Sequence, residues 1–198
     1  MKKIIILGIF LLVGCTAQEA QKVETSAPSS EITPYVNKNY TESDSAAKID
    51  FVQLIQVAIK NLSSMQVGYN SDATEVKFLS NDVPSDVKFV PSKDWQSVKI
   101  LRNKDSEIWK GFIVEVFDLN GYEQSKTTSF NICKDIWKDI DNRVPPVIDE
   151  LATRINAYEK AGSTPVTQHI RYGYFFDLDA SHYNDGYPIV CSIAYDKK

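Results

Sequence analysis

Apolar residues in this chain recur at three- and four-residue steps as far as Leu62 and at two-residue steps after Gly68. That change of period is the strongest constraint on the fold, because the first suits a helix lying on a core and the second a half-buried strand. In "SAAKIDFVQLIQVAIKNLSSM" (45–65), Ala47, Phe51, Leu54, Ile55, Ala58, Ile59 and Leu62 make one stripe. The stripe predicts an amphipathic helix of about five turns, capped by Asp44 or Ser43. Beyond Gly68, "VKFL" (76–79), "VKFV" (87–90), "SVKIL" (97–101) and "GFIVEVFDL" (111–119) read as short strands, punctuated by Asn81, Pro84, Pro91 and Asn120-Gly121. Lys77, Lys88 and Lys99 alternate with apolar neighbours, as on a sheet with one wet face.

"TTSF" (127–130) predicts a further strand, running into "NICKDIWKDI", where Ile132, Cys133, Ile136, Trp137 and Ile140 share a helical face. Pro145-Pro146 opens another helix, "PPVIDELATRINAYEK", and Gly162 stops it. "VTQHIRYGYFFDL" (166–178) and "YPIVCSIAY" (187–195) read as two long strands, with Asn184-Asp185-Gly186 as the turn between them. The expected fold is α+β in a single domain over residues 45–198. A long N-terminal amphipathic helix packs on an antiparallel sheet, with a small helical insert before a C-terminal hairpin.

The first residues have a different character. Lys2 and Lys3 precede "IIILGIFLLV", an apolar run too short for the roughly 20 residues of a membrane-spanning helix and proportioned like a secretory leader. The run ends in Leu12-Val13-Gly14-Cys15, which resembles the lipobox of bacterial lipoproteins. The resemblance implies a signal peptide over 1–14, cleavage before Cys15, and acylation of its thiol and of the new amino terminus. Two or more acyl chains make a stable membrane anchor, whereas one is marginal. Thr16 rather than Asp follows the cysteine, which implies the outer membrane if the source is Gram-negative. The alternative is an uncleaved apolar N-terminus with an incidental cysteine. Residues 15–44 are rich in Ser, Thr, Glu, Gln, Ala and Pro and carry no apolar period, so they read as a disordered tether spanning on the order of 30 Å.

Loss of Lys2 and Lys3 with the leader takes the formal charge from −4 to −6. No basic cluster occurs, so nucleic acid is not an expected partner. In the oxidising compartment that an exported chain enters, Cys133 and Cys191 are candidates for a disulfide, against two free buried thiols. The bond would close a loop of about 59 residues.

The order of elements resembles the globular domain of type IVb pilins. Val67-Gly68-Tyr69-Asn70 after the first helix, the "VP" step in "NDVPSDVKFV" (81–90), Cys133 in "SFNICKDIWKDI" and Cys191 in "YPIVCSIAY" carry the resemblance. It implies a helix lying across an antiparallel sheet and a cysteine pair stapling the C-terminal region. The chain departs from polymerising pilins in its leader and in lacking their long apolar helix with an early acidic residue. The resemblance therefore implies a lipid-held domain and no filament subunit.

No GxSxG elbow, P-loop, GxGxxG, HExxH or CxxC occurs. His182 has Ser181, Asp179 and Asp185 near it in sequence, but chain neighbours rarely converge into a triad, and His169 reads as a surface or cross-strand residue. "DLDASHYNDG" (177–186) places Asp177, Asp179 and Ser181 at the first, third and fifth positions of a calcium-loop pattern. His182 then stands where that pattern needs glycine, and Ile189 where it needs glutamate. Tyr172, Tyr174, Tyr183 and Tyr187 cluster about the final hairpin as a candidate binding surface. The expectation is a non-catalytic, lipid-anchored envelope accessory protein without a cofactor. It would bind the membrane through its lipid and an envelope protein through its domain, in a type IV pilus or secretion assembly. The alternatives are an envelope hydrolase acting on cell wall or carbohydrate, and a solute-binding lipoprotein, for which the chain is short.

Overall fold

A computed structural model describes residues 45–80 and 94–195. The described chain is α+β: three helices and a seven-stranded sheet, antiparallel throughout, in the order β1-β2-β3-β4-β7-β6-β5. The lipobox with Cys15, the tether over 15–44, the "VP" step and the strand expected at 87–90 lie outside the described residues.

Helix α1 spans Phe51–Asn61, about three turns where the sequence predicts five. Its cap is Asp50 rather than Asp44 or Ser43: the Asp50 carboxylate accepts from the Gln53 amide at 2.7 Å, and the Gln53 side chain accepts in return from the Asp50 amide. Asp50 therefore starts the helix late, and Ala47 and Ile49 reach full burial from an extended segment ahead of it. β1 (Gln66–Tyr69), β2 (Glu75–Leu79), β3 (Trp95–Arg102) and β4 (Trp109–Phe117) form a meander. β1 is not among the expected strands, because its four residues are all exposed and carry no burial alternation to read.

"TTSF" is helical, contrary to the strand expectation. It lies inside α2 (Tyr122–Trp137), where Ser125, Ser129, Cys133, Ile136 and Trp137 make a continuous buried stripe. The four-residue step of that stripe outweighs the β propensity of two threonines. α3 (Val144–Lys160) follows, buried along Val147, Ile148, Leu151 and Ile155. These two helices are longer than α1, so the "small insert" is the larger part of the helical layer, and α2 packs on the central strands β4 and β7.

The run 166–178 is not one strand. It folds into a hairpin of β5 (Val166–Arg171) and β6 (Tyr174–Asp179) around Tyr172-Gly173, both at positive φ (55° and 73°), the signature of a two-residue type I′ turn. Tyr172 is held there with the guanidinium groups of Arg143 and Arg171 about 5 Å from its ring, at 4.9 and 5.1 Å. β7 (Ile189–Tyr195) then pairs with β6 on one side and β4 on the other. The core lies between sheet and helices, with Phe78, Val98, Ile100, Phe112, Val114, Phe176 and Ile193 fully buried. Cys133 and Cys191 stand in it at disulfide distance, Cα atoms 6.5 Å apart and both side chains fully buried.

Candidate functional site

Strand register builds a recess on the face of the sheet turned away from the helices. Glu115 on β4 is opposite Val190 on β7, and Val190 is opposite Asp179 on β6. The three alternate with buried core residues on their own strands, so they project to the open face. The β6–β7 connection walls this row. Asp179 accepts from the Ser181 amide at 2.8 Å and its hydroxyl at 2.6 Å, which bends the chain immediately after the strand. A short 3-10 turn, Tyr183–Asp185, ends at Gly186 with φ 86°, and Tyr187-Pro188 leads back into β7. His182, Asp185, Tyr187 and Pro188 line the recess above Glu115, Asp179 and Val190, enclosing about 600 Å³.

The ionisable groups in this recess are tied in separate pairs. Glu115 accepts from the Ser97 hydroxyl at 2.6 Å and the Lys99 ammonium at 2.8 Å. Asp179 is engaged by Ser181, and His182 Nδ1 stands 3.1 Å from the Asp185 carboxylate. Ser181 and His182 therefore serve different carboxylates, and no nucleophile–base–carboxylate chain forms among them. Asp177, one pleat further along β6, has its carboxyl pushed up, first by burial and then by the like charge of Asp179, against a hydrogen bond from Gln168. Its Oδ1 is buried without a hydrogen-bond partner among the described residues. Of the calcium-pattern residues, Asp179 and Ser181 meet each other. Among the described residues no group of three or more His, Cys, Asp and Glu is placed to hold a metal.

The four tyrosines separate. Tyr187 is exposed beside the recess, 6.0 Å from the His182 ring. Tyr183 is half-buried: its hydroxyl donates to the Asp118 carbonyl at 2.6 Å and its ring stacks on Phe117 at 4.9 Å. Tyr172 is the hairpin turn already described. Tyr174 is fully buried and so corrects the surface reading: on β6 it alternates inward, with Phe176 and Leu178. His169 sits opposite Phe176, a cross-strand residue.

Tyr174 belongs to a cluster that sequence spacing does not reveal. Its hydroxyl donates to Asp141 Oδ2 at 3.0 Å and accepts from the Ala47 amide at 2.6 Å, while the Tyr195 hydroxyl donates to the Ala47 carbonyl at 2.6 Å. Asp141 is fully buried, and Arg143 grips it with two side-chain bonds at 2.9 and 2.7 Å. A second buried charge, Lys126 on α2, donates to Glu159 at 2.9 Å, Asn156 at 2.9 Å and Glu123 at 3.0 Å. Tyr122 donates to the same Glu159. Burial and that carboxylate hold the Tyr122 hydroxyl well above the usual tyrosine range. The first cluster joins β6 and β7 to the segments before α1 and α3, and the second joins α2 to α3, so only the tertiary fold shows them.

No protein-family model, curated protein or solved structure matches this chain.

Proposed function

We propose that this chain is a lipid-anchored binding protein of a bacterial cell envelope, held by Cys15 and presenting the 45–198 domain to a protein partner, without catalysis. The observation that carries the binding reading is the recess under Tyr187. Its ionisable side chains are committed pairwise to Lys99, Ser181 and Asp185, which suits a recognition surface better than a reacting one. An exposed tyrosine beside Asp179 and Asp185 favours a partner that brings a lysine or arginine side chain to the recess. The anchor reading rests on Leu12-Val13-Gly14-Cys15. The resemblance to type IVb pilins, in which a helix crosses an antiparallel sheet and a cysteine pair staples the C-terminal region, points to a pilus or secretion assembly as the partner.

The test has two arms. Cys15→Ala is expected to move the full chain from the membrane fraction to the soluble fraction and to abolish fatty-acid labelling; unchanged fractionation would remove the anchor. A photo-crosslinking residue at Tyr187 is expected to trap an envelope protein in living cells. Absence of any adduct at Tyr187 would place the partner elsewhere; loss of the adduct on Asp179→Asn with Asp185→Asn would support recognition by the recess carboxylates, and persistence would refute it.

One observation favours a hydrolase instead. Glu115 and Asp179 face the recess two strands apart, a backbone separation of about 10 Å. Carboxyl pairs in inverting glycosidases stand at a comparable spacing of roughly 6.5–9.5 Å. Release of soluble sugar from purified cell wall, abolished by Glu115→Gln or Asp179→Asn, would decide for that reading.

A further inference from the structure

We infer that residues 45–49 are a latch, a releasable segment outside the helices and strands, seated in a peptide-binding groove formed by Arg143, Tyr174 and Tyr195 and backed by Trp109. The inference does not rest on the recess or on the anchor.

The groove holds its occupant as a receptor holds an extended peptide. Tyr174 takes the Ala47 amide and Tyr195 the Ala47 carbonyl, each at 2.6 Å, so side chains of the last two strands hold both backbone groups of one residue, while the Ile49 amide donates to the same carbonyl at 3.1 Å from within the segment. Arg143 donates to the Ser45 carbonyl at 3.0 Å, extending the grip to the second residue upstream. Downstream, Asp50 makes an isolated antiparallel bridge with Ile108, and the Phe51 amide donates to the Glu107 carbonyl at 2.7 Å. Ala47 and Ile49 are fully buried, whereas Ser45 is exposed. The gripped position has a small side chain, and the next inward position has a branched one. The walls stand without the segment: Trp109 packs on Tyr195 at 4.6 Å and on Trp137 at 5.1 Å, and Asp141 with Arg143 fixes Tyr174. Residues 45–49 belong to no helix or strand, so they can leave without breaking a ladder or a helical turn. Asp50 caps α1 on its own, so the helix keeps its start when they leave.

The latch accordingly opens as a local unit, and the uncovered hydroxyls bind this same segment when it is supplied as a separate peptide. Hydrogen exchange on the full chain measures the first step. The Ala47 and Ile49 amides are expected to exchange at least tenfold faster than those of β4 and β7, and Tyr195→Phe to accelerate Ala47 tenfold or more while leaving the β7 amides within twofold. Exchange of Ala47 at the rate of β7 in both proteins overturns the latch, because the segment then opens only when the whole domain does.

The second step uses a synthetic peptide of residues 44–51. Ala47→Pro removes the donated amide and is expected to free the groove. The variant's thermal midpoint should rise with peptide concentration, while the wild-type midpoint stays flat because its own segment occupies the site. Should Ala47→Pro prevent folding, Ile49→Ser, which weakens the segment's own seating and leaves the Tyr174 and Tyr195 hydroxyls in place, is used instead with the same expected rise. A midpoint that no peptide concentration moves in a folded variant overturns the groove.

Discussion

Replacing Cys133 and Cys191 together by alanine tests how much of the sheet–helix attachment is covalent. The two residues join α2 to β7, the strand between β4 and β6 near the middle of the sheet, and lie 58 positions apart in sequence. Closing a loop of that length removes roughly 4 kcal/mol of chain entropy from the unfolded state. The native structure loses two sulfur atoms from a fully buried site, which adds up to about 1 kcal/mol for the small void left behind. Domains have about 5–15 kcal/mol in hand, so the double variant remains folded at 25 °C but is strongly weakened. At about 2–4 °C per kcal/mol for a domain of this size, the thermal midpoint should fall by roughly 8–20 °C.

Urea unfolding followed by circular dichroism on the full chain supplies the check. Its slope should steepen in the variant, because an unfolded chain without the cross-link exposes more surface. Intact mass should show the wild type two hydrogens lighter than its reduced form. Reductant added to the native protein should act only as fast as the domain opens, since neither sulfur is accessible. A midpoint within about 2 °C of wild type would refute the loop-closure reasoning. Rapid reduction without unfolding would refute the burial.

Three further outcomes follow from buried polar groups. Tyr174→Phe leaves the Ala47 amide and one Asp141 lone pair unsatisfied in a fully buried place, costing about 2–5 kcal/mol in urea unfolding, whereas Tyr187→Phe on the exposed rim stays within about 0.5 kcal/mol. Burial holds the Tyr174 and Tyr122 hydroxyls well above the tyrosine range, so the native state retains protons that the unfolded chain releases; the contribution of these two groups to stability should be constant below about pH 10 and decline above it. Asp177 is also pushed up, which makes its ionised form unfavourable in the native state. Stability therefore falls as pH rises through its native titration, and Asp177→Asn should raise the midpoint at pH 7 but not below about pH 3.

The fold was legible wherever burial followed a period. β2, β3, β4 and β7 alternate in burial over most of their length, and the expected strands fall on them within two residues. α3 announces itself through Pro145-Pro146 and Gly162. The misreadings arose where a local signal competed with a longer one. "TTSF" has strand-forming residues, but Ser125, Ser129 and Cys133 continue a helical stripe through it, and small side chains on that stripe let α2 lie close on β4 and β7. Tyr172-Gly173 carries no sequence signal for the type I′ turn it makes, because a tyrosine rarely takes positive φ. Its strain is offset by two guanidinium groups, one of which, Arg143, comes from the start of α3 and is invisible from the hairpin itself.

The recess was half legible for a related reason. Asp179, Ser181, His182 and Asp185 are chain neighbours, and their polar concentration marks the β6–β7 connection in the sequence. Glu115 is 64 positions before Asp179 and joins them only because β7 inserts between β4 and β6, setting Glu115, Val190 and Asp179 in one row. A slip of one residue in either pairing would turn Glu115 or Asp179 into the core. Core residues on both sides of the row forbid that slip: Val114 and Val116 flank Glu115, and Leu178 and Ala180 flank Asp179, all buried. The hydrophobic pattern that specifies the fold therefore also fixes which carboxylates meet, although neither is part of that pattern. Changing Glu115 to glutamine should accordingly leave the register intact while removing the recess charge that Lys99 pairs with, which makes it a direct probe of what the recess recognises.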